Sequence, residues 1–148
     1  MHFNLSHAHD LTLYAFCRDQ DVGIDIERIR SDIAYEQIAN YVFSPYEIAT
    51  LFALPLHERT EAFFRGWSIK EAYIKGLGGG LSIPLDQFDT AISPGTPAAI
   101  LATRPDPTEA GRWTVARLDA GSGYAAALAL RGSITKLACW QVESDPYA

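Results

Sequence analysis

The sequence predicts an α+β domain, with helices packed on a mainly antiparallel sheet. The observations behind this lie along the chain in order. Its middle, from about residue 34 to residue 75, carries apolar residues at helical spacing, and Ser44-Pro45-Tyr46-Glu47 is a strong helix start. Short β-favouring runs flank this helical middle on both sides, with turn clusters between them.

Leu11 to Cys17 is rich in apolar and β-favouring residues and reads as a strand. Asp19-Gln20-Asp21 is a turn cluster, and Val22 to Glu27 is a second strand, so the two are expected to form a hairpin. Ala34 to Val42 has helical spacing, with Asp32 as candidate N-cap. In the next helix Ser44 takes the N-cap, Pro45 the first helical position and Glu47 the capping-box position. Glu58 to Lys75 is the longest helical stretch, with Phe63, Phe64, Trp67, Ala72 and Ile74 supplying much of its apolar surface. Gly76 and then Gly78-Gly79-Gly80 are expected to end it, and Ser82-Ile83-Pro84-Leu85 to leave it in extended form. Gln87–Ile92, Ala98–Ala102, Trp113–Leu118, Tyr124–Leu130 and Leu137–Val142 read as further strands. Pro94-Gly95, Pro105-Asp106-Pro107 and Gly121-Ser122-Gly123 break them.

At 148 residues, with no internal repeat or linker, residues 1–148 read as a single domain. A chain this long buries roughly 68–70% of its unfolded surface. An apolar fraction of 48% and a charged fraction of 20% are those of an ordinary globular protein. No apolar run approaches the roughly 18 residues of a membrane span, and no signal peptide is visible, so a cytoplasmic protein without a membrane partner is expected. A net charge of −6 argues against nucleic-acid binding. Cys17 and Cys139 lie far apart without metal-like spacing and read as buried free thiols.

Alternate residues on a strand share a face, so Asp25 and Glu27 project together while Ile24 and Ile26 face the other way. Two carboxylates so close repel unless a cation lies between them. Taken alone, this spacing more simply describes a solvated strand face helped by Arg28 and Arg30. Glu71 and Lys75, four residues apart on a helix, also have the spacing of an ordinary stabilising surface pair. Lys70 lies beside that face and Trp67 one turn before Glu71. If the helix crosses the strand, Asp25, Glu27 and Glu71 offer the oxygen ligands that Mg2+ takes together with waters and phosphate oxygens. The triple glycine has no following Lys-Ser/Thr and is not a phosphate-binding loop. Ser6-His7 has no nucleophile elbow around it, and His7 with His9 supplies too few ligands for zinc.

Val22-Gly23-Ile24-Asp25-Ile26-Glu27 followed by Trp67-Ser68-Ile69-Lys70-Glu71-Ala72-Tyr73-Ile74-Lys75 resembles the 4′-phosphopantetheinyl transferase superfamily, and within it the surfactin-synthetase-activating type. Phe3-Asn4-Leu5-Ser6-His7, Phe43 to Glu47, and Gly78-x-Gly80-Leu81 with Pro84-Leu85 fit that pattern in order. The resemblance implies that Asp25, Glu27 and Glu71 bind Mg2+, which bridges to the pyrophosphate of coenzyme A. A serine of an apo acyl or peptidyl carrier protein then attacks the β-phosphate, and adenosine 3′,5′-bisphosphate leaves. It further implies Glu71 as general base, Lys75 as the group that meets charge on the leaving phosphate, and Lys70 as a phosphate contact. Ser6 and His7 match the positions that hold the adenosine 3′-phosphate. Phosphoryl transfer needs positioning and charge neutralisation more than covalent help, and a metal with lysines supplies both.

Members of the surfactin-synthetase-activating type are pseudodimers of two similar halves, and this chain resembles mainly the second. It begins near the end of the first, whose basic residues for the coenzyme A phosphates are missing. A homo-oligomer, pairing with a complementary half, or a longer native chain would each complete the cleft. The other expectation is a non-catalytic half-domain that binds carrier protein or coenzyme A and needs a partner chain.

Overall fold

The computed structural model describes residues 1–143. Its centre is a three-stranded antiparallel sheet in the order β3-β7-β6. β3 (Val22–Arg28) comes early in the chain, whereas β6 (Trp113–Leu118) and β7 (Tyr124–Arg131) come near its end. β3 pairs with β7, matching Asp25 to Ala127 and Glu27 to Ala125. Three helices lie between them in sequence, α1 (Tyr35–Val42), α2 (Pro45–Ala53) and α3 (Leu56–Leu77). A small antiparallel pair, β4 (Phe88–Thr90) with β5 (Ile100–Thr103), follows α3.

The expected hairpin between Leu11–Cys17 and Val22–Glu27 does not form. β2 (Leu11–Cys17) pairs instead with β1 (His2–Ala8), which the sequence reading had not marked as a strand. A two-residue turn joins them, with His9 in the left-handed region at φ 55°. β3 keeps one edge for β7 and offers the other to side chains of β1. The Ile24 N–H donates to Asn4 Oδ1 at 3.0 Å and the Ile26 N–H to Ser6 Oγ at 3.2 Å. An amide and a hydroxyl side chain thus stand in for a neighbouring strand's carbonyls, and these N–H groups are not left unpaired.

α3 crosses the sheet closely because the strands beneath it are stripped of bulk. Ala127 and Ala129 are fully buried under it. At Gly23 a β-carbon would collide with the backbone carbonyl of Ala72. Gly76 does not end the helix: it is a buried contact, where a β-carbon would press into the Trp113 ring. The helix runs on to Leu77, and Gly78 closes it at φ 77°, donating to the Ile74 and Lys75 carbonyls.

The start of α2 matches expectation. Ser44 Oγ accepts from the Glu47 N–H, and the Ser44 N–H donates in return to the Glu47 carboxylate. Asp32 does not cap α1: the N-cap is Ala34 with no side-chain bond, and Asp32 accepts from Arg30 Nε instead. Behind these helices Phe63 meets the rings of Tyr35, Phe43, Phe64 and Trp67, with centroids 5.2–6.2 Å apart. Such pairs contribute about 0.5–1.5 kcal/mol each beyond area burial, and here they fix the Trp67 indole.

β4 and β5 are shorter than expected, β6 has the expected bounds and β7 runs one residue further, while Gly80–Ser82 and Leu85–Gln87 are 3-10 turns around an extended Ile83-Pro84. Leu137–Val142 is not a strand. No ladder partner meets it among the described residues, and Trp140 and Val142 are exposed. Cys17 and Cys139 are free thiols as expected, but Cys139 is exposed and Cys17 only half-buried, at the edge of the cluster around Ile24 and Leu128. Among the described residues no helix is long and apolar enough to cross a membrane.

Candidate active site

β3 sets Asp25 and Glu27 on the face that α3 covers, opposite alanines that leave them room. Trp67, Glu71 and Lys75 succeed one another at four-residue intervals on α3, so they form one stripe along its β3 flank. The crossing joins the two sets. Trp67 Nε1 donates to Glu27 Oε1 at 2.7 Å. Lys75 Nζ donates to Asp25 Oδ1 at 3.0 Å and to the Ile24 carbonyl at 3.1 Å. Ser6 Oγ donates to the same Asp25 oxygen at 3.1 Å.

Asp25 is 3% exposed, and its second oxygen, Oδ2, is buried with no hydrogen-bond partner among the described residues. Burial, reinforced by the charge of Glu27 and only partly offset by Lys75, pushes its carboxyl up to about 7. Glu71 is also pushed above the usual carboxylate range, first by burial and then by the charge of Asp25, with Lys75 opposing. Lys75 is the ammonium that pairs with Asp25 and faces Glu71, while Glu27 is held by Trp67. A buried carboxylate oxygen without a donor is costly, and a cation at that atom removes the cost.

The donor chemistry suits a hard divalent cation: carboxylate oxygens from three residues, one of them orphaned. Among the described residues no three such groups converge into a ready cage. Lys75 holds the position beside Asp25 Oδ1. The residues thus fit an open site, in which water or substrate oxygens complete the shell, rather than a closed one.

Lys70, expected as a phosphate contact, is buried at 1% exposure on another side of α3. Consecutive helical residues are turned by about 100°, which carries Lys70 off the Glu71 stripe and into the core. Its ammonium pairs with Glu47 Oε2 at 2.9 Å, donates to the Phe88 carbonyl at 2.8 Å and sits 3.9 Å from the centre of the Phe88 ring. Burial lowers its pKa, and the Glu47 charge resists that shift. Glu47 is fully buried too, and its other oxygen accepts from the Thr90 N–H and hydroxyl at 2.7 and 2.6 Å. The capping box had shown Glu47 only as a helix-start residue. Its second task, as counter-ion locking α2, α3 and β4 together, left no local signal.

Ser6 and His7 part company. Adjacent strand residues face opposite ways, so Ser6 is buried against β3 while His7 is exposed on the outer face of the β1–β2 pair. The Ser6 hydroxyl is occupied by Asp25 and the Ile26 N–H, which makes it a positioning group. The bond from Trp67 to Glu27 was not foreseen, although the indole's place one turn before Glu71 was the available clue.

Comparisons with known proteins point to one family. The sequence pattern of the 4′-phosphopantetheinyl transferase superfamily matches residues 21–129. The chain is 35% identical over 130 residues to the 4′-phosphopantetheinyl transferase HetI of Nostoc sp., covering 88% of this chain and 52% of that protein. It is 43% identical over 91 residues to the 4′-phosphopantetheinyl transferase Sfp of Bacillus subtilis, covering 62% of this chain and 39% of that one. It thus spans about half the length of the first relative and less of the second. The fold is that of holo-[acyl-carrier-protein] synthase from Thermotoga maritima, with a TM-score of 0.59 at 21% identity over 76% of this chain and 62% of that one. A Chronobacterium ammoniagenes synthase solved with coenzyme A gives a TM-score of 0.52 at 20% identity, over 78% of this chain and 99% of that one. The chain belongs to the 4′-phosphopantetheinyl transferase superfamily.

Proposed function

We propose that this chain carries the catalytic half of a Mg2+-dependent 4′-phosphopantetheinyl transferase. It moves the phosphopantetheine arm of coenzyme A to a serine of an apo acyl or peptidyl carrier protein and releases adenosine 3′,5′-bisphosphate. The observation that carries the reading is the buried, partnerless Oδ2 of Asp25 beside Glu27 and Glu71. The family match supports the reaction class. The setting proposed for it is the cytoplasm.

Asp25, Glu27 and Glu71 would hold the Mg2+, which supplies charge neutralisation at the pyrophosphate. Trp67 and Ser6 orient Glu27 and Asp25 through the bonds described above. Glu71, whose pKa is raised by burial, suits a base that takes the proton of the carrier serine hydroxyl. The serine oxygen forms its bond to the β-phosphorus as the bond from that phosphorus to the bridging oxygen breaks. The electron pair leaves on the adenosine 3′,5′-bisphosphate, whose new charge Lys75 meets. Lys75 is 29% exposed, and its ammonium, beside Asp25 and the Ile24 carbonyl, would be the group that meets that charge. His7, on the exposed face of β1, is left as the proposed contact for the adenosine 3′-phosphate.

The proposal includes pairing with a complementary half or a second copy. The outer face of the β1–β2 pair exposes Phe3 at 66%, Phe16 at 67%, Tyr14 at 62% and Leu5 at 47%. Phe3 opposes Phe16 and Leu5 opposes Tyr14 in the ladder, so the four form one patch. A contiguous apolar patch is the mark of an interaction surface. The same half-length favours a second reading, a module that binds carrier protein or coenzyme A without transfer. Mass measurement of an apo carrier protein, incubated with the chain, coenzyme A and Mg2+, separates the two. A phosphopantetheine adduct supports the transferase; none at high protein concentration leaves only the binding module.

A further inference from the structure

α3 has a second flank, facing β6, and its chemistry is the reverse of the first. Arg117 lies in the same row across the sheet as Asp25, with Ala127 between them. That places the two backbones two strand spacings, or about 10 Å, apart. Arg65 reaches the same space from α3, 19% exposed. Between the two arginines is a cavity of about 120 Å³, with Glu61, Ser68, Ile29 and Tyr124 on its walls.

Three donors in this pair are buried without a partner among the described residues: Arg117 Nε and Nη2, and Arg65 Nη1. Nε and Nη2 form the guanidinium edge that presents two parallel N–H groups, the geometry that grips two oxygens of an oxyanion. Arg117 has no ion-pair partner among the described residues. Arg65 has one, Glu61, through Nη2 at 3.3 Å, and that carboxylate is 64% exposed. Burial and then the neighbouring Arg65 charge lower the Arg117 pKa. Two half-buried like charges beside one cavity, with three idle donors between them, want an anion.

We propose that the Arg65–Arg117 cavity is a binding site for a single tetrahedral oxyanion, either free phosphate or the terminal phosphate of a small phosphomonoester. The fork of Arg117 takes two oxygens and Arg65 Nη1 a third. The cavity has the volume of about four water molecules at roughly 30 Å³ each, room for one such group. Glu61, held by one long bond and mostly exposed, is a competitor that swings out. The site stands on the opposite flank of α3 from the carboxylates and is independent of the transferase reading.

The test is titration of the chain with sodium phosphate, glycerol phosphate and acetate at fixed ionic strength, read by the Arg Nε–H resonances and by Tm. A saturable shift at Arg117 Nε–H and a raised Tm with phosphate or its ester are expected, and the tighter of the two identifies the source. Arg117→Lys, which keeps the charge but loses the fork, is expected to weaken binding about tenfold or more. Glu61→Gln, which removes the competitor, is expected to tighten it. The proposal is overturned if neither phosphate shifts Arg117 Nε–H saturably, if acetate binds as well as phosphate, or if Arg117→Lys binds as tightly as the parent. It is equally overturned if Glu61→Gln lowers Tm and leaves no phosphate response, since Glu61 would then be the true partner.

Discussion

Two lysine–carboxylate pairs are built from the same helix, and they have opposite characters. Lys70 with Glu47 is sealed: both are buried, and each Glu47 oxygen has named donors. Lys75 with Asp25 is half open: the ammonium is partly exposed and one Asp25 oxygen has no partner among the described residues. A satisfied buried pair specifies packing, whereas an unsatisfied one stores electrostatic need that a ligand can meet. The two pairs come from lysines five residues apart in the sequence, so residue type alone does not tell scaffold from site. Satisfaction of the polar atoms does.

The largest effect should follow from removing the open pair's charge. Asp25→Asn is expected to cut transfer by about a thousandfold or more, equivalent to roughly 4 kcal/mol of transition-state stabilisation, with circular dichroism unchanged. Near-normal transfer would remove Asp25 from the metal set. On the sealed side, Lys70→Ala strands the Glu47 carboxylate and should cost about 3–5 kcal/mol of stability. Replacing both charges, Lys70→Met with Glu47→Gln, keeps an acceptor for Thr90 and should restore part of that loss in denaturant melts. Similar melts for the single and double variants would show that the pair is not coupled.

The pH dependence sharpens the same contrast. The Asp25 carboxyl is raised from 3.8 to about 7, so between those values the folded chain holds a proton that the unfolded chain has released. Stability of the metal-free protein should therefore fall as pH rises through that window and level off above it. In Asp25→Asn the slope should flatten, and an unchanged slope would place the titration elsewhere. The smallest effect is expected at Trp67→Phe, which deletes the donor to Glu27 while keeping the ring. One hydrogen bond to a charged group is worth about 1.5–3 kcal/mol, so transfer should slow by tenfold or somewhat more, with Tm little changed.

Much of this was legible in the sequence because it is local. β3, the α2 capping box and the long helix each announce themselves within a few residues, and the motifs at Asp25–Glu27 and Glu71–Lys75 lie on them. What was hidden depends on distant partners. β3 pairs with β7 about a hundred residues on, so the nearer strand Leu11–Cys17 seemed its natural mate. β1 went unread as a strand because its outward residues include Phe3 and Leu5, and its inward ones Asn4 and Ser6, the reverse of a core-facing alternation. Lys70 was misread because its counter-ion comes from another helix. Gly76 was misread as a terminator because only the Trp113 ring explains it.

The open pair works and the sealed pair supports. This division of labour is read by mass measurement of an apo carrier protein after incubation with coenzyme A, Mg2+ and either Asp25→Asn or the double variant Lys70→Met with Glu47→Gln. The predicted result is a phosphopantetheine adduct with the double variant and none with the folded Asp25→Asn chain. An adduct with Asp25→Asn, or its loss in a folded double variant, would contradict the account.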